Sequence, residues 1–203
     1  QVIEPGSKTL YSVVPTNMDM KSSEFRMGSI EMGVMNSACA EMAQFYDLPI
    51  YNTAGVTDSK TPDIQAGYEK MSNILLSALS GANYIHDAAG LIESAMSVAY
   101  EQYVIDNQML GMAKRVLRGL EFSEERLAFD DIKDVGPGGN FLTTESTLKY
   151  MRSEFFDDEL YDDTDWDNWI EDGAPDARER AKDIARNILD KDDETLVDED
   201  LLY

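Results

Sequence analysis

Clusters of polar residues follow three short apolar runs in the first ninety residues of the chain. The clusters are Asn17, Asp19 and Lys21; Asn52 and Thr53; and His86 and Asp87. Carboxylates and imidazoles serve as acids, bases or charged partners of a substrate. If the apolar runs are parallel strands, the clusters lie at their carboxyl ends, where α/β proteins bind ligands. We therefore predict Asp19, His86 and Asp87 as candidate catalytic residues; the alternative for each is loop solvation, helix capping or a structural hydrogen bond.

Alternating strands and helices in the first 120 residues would position these clusters. The predicted strands cover residues 9–14, 48–51 and 83–85. Each is followed by apolar residues at helical spacing, so we predict a parallel α/β fold, either doubly wound or a barrel. In the helix after the second strand, the spacing predicts a buried stripe. That stripe comprises Ile64, Tyr68, Met71, Leu75 and Leu79.

The composition excludes several classes of function. The 203-residue chain carries 40 Asp and Glu against 17 Lys and Arg, and this formal charge of −23 disfavours binding to nucleic acid or to an anionic membrane surface. Cys39 is the single cysteine and His86 the single histidine, so an internal disulfide and a histidine-rich metal site are excluded. No apolar run has the length of a membrane span. We therefore expect a cytoplasmic protein with no metal site.

The chain divides into three parts by composition. Residues 1–120 contain the strand–helix units, residues 121–189 a helical extension rich in acids, and residues 190–203 an acidic tail. Three units cannot close a (β/α)8 barrel, which needs about 250 residues. Two alternatives remain open: a small open sheet, or the C-terminal part of a barrel whose first strands lie elsewhere.

Short motifs occur in a fixed order along the chain. They are PGS (5–7), MDMK (18–21), GSIE (28–31), YDLP (46–49), TDSK (57–60), DIQAGYE (63–69), GANYIHD (81–87) and VGPGGNFL (135–142). In this order they resemble the C-terminal half of the trimethylamine methyltransferase (MttB) family of corrinoid-dependent methyltransferases, from about Pro5 to Leu189. The resemblance implies an α/β fold that is the C-terminal part of a TIM (β/α)8 barrel plus an acidic helical C-terminal extension.

Gly28 indicates which branch of the family the chain resembles. Archaeal trimethylamine enzymes carry pyrrolysine just before the Ser-Pro-Glu that opens this helix, whereas here Gly28 precedes Ser29-Ile30-Glu31. The chain therefore resembles the non-pyrrolysine branch, whose known members demethylate quaternary amines such as glycine betaine. Family members often carry histidines after the glycine loop, where this chain has Asn140 and Ser146, so no histidine role is carried over there.

The resemblance implies transfer of a methyl group from a methylated amine to cobalt(I) of a corrinoid (cobalamin) that a partner protein carries. A quaternary ammonium has no N–H donor, so its site should combine aromatic faces with negative charge, here from Asp19 and Asp87. A betaine carboxylate needs donors, for which Lys21, Arg26 and His86 are candidates. The predicted substrate-binding residues are Tyr11, Lys21, Phe25, Arg26, Gly28, Glu31, Tyr51, Asn52 and Tyr84. The alternative for the aromatic rings is a place in the core.

The expected partners are therefore a corrinoid protein, a small methylated amine, the N-terminal half of the barrel and further copies in a homo-oligomer. Because the early strands are missing, we expect the segment to be inactive alone. One alternative is a non-catalytic truncated paralogue that acts as a binding or oligomerisation module. Others are an enzyme with trimethylamine as its methyl donor, and a stand-alone α/β binding protein.

Overall fold

The computed structural model describes residues 2–157 and 160–191 of the chain. Its centre is a parallel sheet whose strands lie side by side in the order Tyr11–Ser12, Ile50–Thr53 and Tyr84–His86. Two small antiparallel pairs, Asn17–Met18 with Phe25–Arg26 and Leu91–Ile92 with Ser97–Val98, lie in the loops after the first and third of these strands. The elements are β1 (Tyr11–Ser12), β2 (Asn17–Met18), β3 (Phe25–Arg26), α1 (Ile30–Phe45), β4 (Ile50–Thr53), α2 (Ile64–Leu79), β5 (Tyr84–His86), β6 (Leu91–Ile92), β7 (Ser97–Val98), α3 (Tyr100–Arg118), α4 (Phe129–Val135), α5 (Glu145–Tyr150), α6 (Trp166–Glu171) and α7 (Ala177–Leu189).

The predicted alternation of strands and helices is confirmed, since each strand of the parallel sheet leads into a long helix. β1 is shorter than the predicted 9–14 because it pairs with β4 alone, and Tyr11 N donates to Pro49 O at 2.9 Å. An α/β fold is therefore established, while the TIM barrel stays a prediction. The division at residues 120 and 189 also stays a prediction, and residues 192–203 of the predicted tail lie outside the described residues. No helix of the described residues is long and apolar enough to cross a membrane.

One face of the parallel sheet packs on the helices. Tyr11 and Ile50 pair in register and contact buried alanines of α1. Asn52 points to the same side, because side chains alternate along a strand. Its Nδ2 donates to the Asn36 carbonyl oxygen at 3.2 Å, and Asn36 Nδ2 donates to the Thr53 carbonyl oxygen at 2.8 Å. These two amides join α1 to β4, so the central strand of the sheet is fixed against its first helix.

The buried stripe predicted for α2 is wrong at three of its five positions, while Met71 and Leu75 are partly buried. Ile64, Tyr68 and Leu79 are 86%, 58% and 61% exposed. The buried residues of α2 are Ala66, Lys70, Asn73, Ile74, Ser77 and Ala78. Small and polar side chains face inward because α1 approaches closely: a Cβ on Gly33 of α1 would lie 2.5 Å from Asn73 Oδ1. The period of the helix was predicted correctly, but the inward face is not the one with the largest apolar residues.

An arginine cluster attaches the helical extension to α3. The Glu154 carboxylate lies 3.0 Å from Arg118 Nη2, 2.5 Å from Arg126 Nη1 and 3.4 Å from Arg115 Nη2. The hydrogen bond from Arg126 holds the pKa of the Glu154 carboxyl below its ordinary value. α7 also packs on α3 and buries two alanines. The acidic extension is therefore tied to the α/β part by charge pairs and by a helix contact.

A buried ion pair joins α2 to α3. Lys70 Nζ lies 2.6 Å from Asp106 Oδ2, and both side chains are fully buried. The Gly90 N–H donates to the same oxygen at 2.6 Å, and Gln102 Nε2 donates to Asp106 Oδ1 at 2.8 Å. Burial lowers the pKa of Lys70 and raises that of Asp106, and the charge of each partner opposes that shift. The pair thus fixes two helices and the start of the loop after β5 around one carboxylate.

Replacing Lys70 with Met should lower the free energy of unfolding by about 3–5 kcal/mol, because Asp106 would be left buried without its countercharge. The double variant K70M/D106L should recover part of that loss, since neither charge then remains, although Gly90 N–H loses its acceptor. Urea unfolding of the full chain measures both. As a control, Arg186→Ala removes a pair whose side chains are 72% exposed, and it should cost under about 0.5 kcal/mol. A Lys70→Met cost no larger than that of the control would contradict this account.

Candidate active site

The β2-β3 hairpin, in the loop after β1, holds Asp19 and Arg26. Asp19 Oδ1 accepts hydrogen bonds from the backbone N–H groups of Lys21 at 2.8 Å and Ser22 at 3.1 Å. These bonds hold the pKa of Asp19 below its ordinary value, and Arg26, whose Nε lies 3.6 Å from Oδ2, lowers it further. Asp19 is therefore an ionised carboxylate that closes the hairpin turn. Lys21 is exposed beside it.

Asp58, in the loop after β4, connects the other two loops of the sheet. Its Oδ1 accepts a hydrogen bond from Met27 N–H at 3.0 Å, in the loop after β1. The same oxygen accepts one from Ser94 Oγ at 2.6 Å, in the loop after β5. The loops that follow three adjacent parallel strands thus meet at one carboxylate. This convergence lies beyond the carboxyl ends of the strands, the region predicted from the sequence.

Glu69 extends this convergence into α2. Its Oε2 accepts hydrogen bonds from Thr57 Oγ1 at 2.5 Å and from the Asp58 N–H at 2.9 Å, and its Oε1 accepts one from Gln65 Nε2 at 2.8 Å. Three donors from two elements therefore fix the position of the carboxylate. A side chain held in this way is preorganised, because little rotational freedom remains to be lost when a ligand binds.

A strained turn between β6 and β7 is hydrogen-bonded to the loop after β4. Glu93, Ser94 and Ala95 have φ angles of 54°, 51° and 67°, a left-handed conformation that non-glycine residues rarely adopt in succession. The turn is held by hydrogen bonds from Glu93 N–H to Ser59 O at 2.7 Å and from Ser94 N–H to Thr57 O at 2.8 Å. Backbone strain of this kind persists only where surrounding contacts fix it, and it concentrates at functional sites.

Gly28 lies directly over Glu69. The Gly28 carbonyl accepts a hydrogen bond from Asn73 Nδ2 of α2 at 3.3 Å. A Cβ at this position would overlap Glu69 Oε2 and lie 2.6 Å from Glu69 Cδ and 2.8 Å from the Asp58 nitrogen. The backbone and α2 are thus too close for any side chain, and the close approach requires glycine.

A cavity of about 410 Å³ opens beside this contact. Its lining residues are Asp19, Ser22, Glu24, Phe25, Arg26, Ser29, Glu31, Asp58, Lys60, Gln65, Glu69 and Ser94. Carboxylates outnumber cationic groups by five to two in that lining, and Phe25 supplies an aromatic ring that is 66% exposed. The cavity is large enough for a small molecule and favours one that carries a positive charge.

An aromatic row lies on the face of the sheet opposite to the helices. The Tyr51 ring stacks on Tyr84 and on His86, with centroids 5.2 Å apart in each case. His86 Nδ1 lies 3.0 Å from Asp87 Oδ2, and the imidazole side chain is 45% exposed. Partial burial raises the pKa of the Tyr51 phenol, and Asp87 and Tyr84 raise it further. The phenol therefore stays protonated at neutral pH and can donate a hydrogen bond.

The predicted site residues thus fall into separate groups. Phe25, Arg26, Glu31 and Asp19 line the cavity beside Gly28, while Tyr51, Tyr84, His86 and Asp87 form the row on the sheet. Tyr11 and Asn52 face the helices instead and are held by the core and by an amide contact. Lys21 lies at the hairpin turn, outside the cavity lining.

Sequence reasoning missed Asp58, Glu69 and Ser94 as candidate site residues. Asp58 and Glu69 lie within the motifs TDSK and DIQAGYE, which carried the family resemblance. That placement was a usable signal, because acids in a strand-following loop and on the first turns of a helix lie near the ligand edge of an α/β sheet. Ser94 gave no such signal, since it reaches Asp58 only through the strained turn.

Comparison with known proteins shows which family the chain belongs to. The model of the trimethylamine methyltransferase (MTTB) family matches residues 1–202. The chain belongs to that family. It is 38% identical to the glycine betaine methyltransferase of Desulfitobacterium hafniense (strain Y51), over 83% of this chain and 35% of the relative. It is also 38% identical to the trimethylamine methyltransferase MttB of D. hafniense (strain DSM 10664 / DCB-2), over 94% and 38%, and to that of Methanosarcina barkeri (strain Fusaro), over 100% and 40%.

Family membership confirms the resemblance carried by the sequence motifs. The chain spans 35–40% of the length of these three relatives. Among the described residues, no group of three or more His, Cys, Asp or Glu side chains could hold a metal ion.

Asp58→Ala should destabilise this part of the family fold, because Met27 N–H and Ser94 Oγ would both lose their acceptor. Each unsatisfied donor costs about 1–3 kcal/mol when buried, so we expect the free energy of unfolding to fall by about 2 kcal/mol at this partly buried position. Asp58→Asn keeps an acceptor oxygen of the same shape and should cost less than half as much. Chemical unfolding of both variants measures the difference. Equal losses would mean that the charge of Asp58, rather than its hydrogen bonds, holds the loops together.

Proposed function

We propose that the full-length protein transfers a methyl group from a quaternary amine such as glycine betaine to a corrinoid protein. The observation that supports this proposal is the cavity beside Gly28, which combines carboxylates, two cationic side chains and an aromatic ring in one lining. Family membership supports methyl transfer as the type of reaction. One relative is named a glycine betaine methyltransferase, which supports the choice of substrate.

The charges of the cavity match those of a betaine. A betaine carries a permanently cationic ammonium and an anionic carboxylate. Asp58 and Glu69 offer negative charge to the ammonium, which cannot donate a hydrogen bond and binds through electrostatics alone. Arg26 and Lys60 line the same cavity and offer N–H donors to the carboxylate. A ligand without formal charges would make neither of these contacts.

Aromatic rings complete the environment that a methylated ammonium prefers. Phe25 lines the cavity, and each ring face in contact with a cation contributes about 0.5–2 kcal/mol. The row formed by Tyr51, Tyr84 and His86 runs across the face of β4 and β5 and ends with His86 at the carboxyl end of β5, and we infer that it borders the same pocket in the full-length protein. Asp87, paired with His86, adds negative charge at that border.

The reaction makes few demands on this chain beyond binding and orientation. The carbon–nitrogen bond breaks with its electron pair on nitrogen, so the product is a neutral tertiary amine and no proton has to be supplied. A corrinoid carried by the partner supplies reduced cobalt as the methyl acceptor. The lining of the cavity suits access by such a partner because most of it comes from the loops that follow the parallel strands. The residues of this chain hold the cation and point one methyl group outward.

Other parts of the proposal concern the rest of the protein. Because the chain spans 35–40% of its relatives, we propose that further strands complete a (β/α)8 barrel and contribute residues to the pocket. Homo-oligomer formation and the inactivity of this segment alone are proposals of the same kind. Trimethylamine as methyl donor is the second candidate, because two of the three relatives described above carry that substrate in their names.

A substrate panel tests the proposed function. The full-length protein is incubated with free cob(I)alamin or a reduced corrinoid protein, and methylation of cobalt is followed by absorbance with glycine betaine, choline, other betaines, trimethylamine and dimethylamine. We expect turnover with glycine betaine and none with dimethylamine. Arg26→Gln should raise KM for glycine betaine about fivefold or more, because a charged donor to the carboxylate is lost, and should leave any turnover of choline unchanged.

Distinct outcomes separate the alternatives. Turnover confined to trimethylamine would refute a quaternary amine as substrate and favour the second candidate. Absence of turnover with every amine, from a folded full-length protein and an active corrinoid partner, would favour a non-catalytic paralogue. An Arg26→Gln effect of the same size on choline and on glycine betaine would exclude Arg26 from carboxylate recognition.

A further inference from the structure

Glu69 occupies the space that a side chain at position 28 would need. A Cβ on Gly28 would overlap Glu69 Oε2 and approach Glu69 Cδ to 2.6 Å. Glu69 does not move aside freely, because Thr57 Oγ1, the Asp58 N–H and Gln65 Nε2 hold its two oxygens at 2.5, 2.9 and 2.8 Å. The two positions are therefore sterically matched, although they lie 41 residues apart in the sequence.

The absence of a side chain at position 28 also leaves the Glu69 carboxylate exposed to the cavity. Its carboxylate lines the cavity wall beside Gly28, and Gln65 is the one described side-chain donor to Oε1. A side chain at position 28 would overlap the carboxylate that forms this part of the wall. Glycine at position 28 thus leaves space for the Glu69 carboxylate and leaves that carboxylate exposed to a ligand.

We infer that Glu69 determines the specificity of this site: the missing side chain at position 28 lets the Glu69 carboxylate reach the cavity and supply the negative charge that a cationic methyl donor needs. This inference rests on the proposed function for its ligand. Its steric part stands on the contacts of Gly28 alone. The two parts have separate experiments.

A double-mutant cycle tests the steric match in the full-length protein. Gly28→Ala should lower the midpoint of thermal unfolding by about 5 °C, because Glu69 and the Asp58 backbone must shift. In a Glu69→Ala background the same change should cost less than half as much, since the overlapping carboxylate is gone. Gly67→Ala is the matched control, because a Cβ there meets nothing within 4 Å, and it should leave the midpoint unchanged or raise it. Additive effects of Gly28→Ala and Glu69→Ala would overturn the steric match.

Ligand binding tests the charge of Glu69. Glu69→Gln keeps the shape of the side chain and an acceptor for the Asp58 N–H, so the fold should persist. Calorimetric titration with tetramethylammonium and with glycine betaine should show affinities at least about fivefold weaker than those of the unmodified protein. Glu41→Gln on α1 removes the same charge at an exposed position outside the cavity lining, and its affinities should agree with those of the unmodified protein within about twofold.

The outcomes distinguish this inference from the proposed function. If the unmodified protein binds both cations and Glu69→Gln binds them equally well, the charge role of Glu69 is wrong while the proposed function stands. If the unmodified protein binds neither cation, the proposed function fails and the charge role fails with it. The thermal cycle decides the steric match in either case, because it involves no ligand.

Discussion

The approach of the loop after β1 to helix α2 is the constraint on which the site depends. At Gly28 the backbone lies so close to Glu69 and to the Asp58 nitrogen that no side chain fits between them. This close contact allows Met27 N–H to reach Asp58 and Asn73 to reach the Gly28 carbonyl. Without this close contact, the hydrogen bond from Met27 N–H to Asp58 that joins the loops after β1 and β4 would be lost. The cavity is a consequence of how closely two backbones pack.

Helix α2 can impose this constraint because its other side is fixed by charge. Lys70, next to Glu69 in the sequence, forms the buried pair with Asp106 of α3. Successive residues of a helix point about 100° apart, so one side of α2 holds α3 while the adjacent side faces the loops. Asp106 also accepts the hydrogen bond from Gly90 N–H, at the start of the segment that carries the strained turn. One buried carboxylate therefore aligns α2 and the loop after β5, and Asp58 then joins that loop to the others.

The sequence predicted the parts of this structure that follow from local pattern. Alternating strands and helices, and polar residues at strand ends, depend on short-range periodicity and chain direction. The facing of Tyr11 and Asn52 toward the helices depends instead on the phase of each strand, which only its neighbours determine. The stripe of α2 was wrong for a related reason: close packing against α1 selects small and polar residues such as Ala66 and Asn73, and leaves Ile64 outside. Glu69 and Ser94 reach the site through tertiary contacts, so spacing along the chain could not bring them together.

The charges in the cavity lining differ in how strongly they can act on a ligand. Glu69 and Asp58 are partly buried and fixed by backbone and hydroxyl donors, so their field is weakly screened and costs no reorganisation on binding. The Arg26 side chain is 54% exposed, and Lys60 is exposed as well. Their attraction for a carboxylate is therefore screened by solvent and salt. Under the proposed function, these two fixed carboxylates would recognise the methylated cation, the end of the molecule where the carbon–nitrogen bond breaks. The two exposed cations would then act on the other end of a betaine and distinguish it from choline without setting the position of the reacting methyl group.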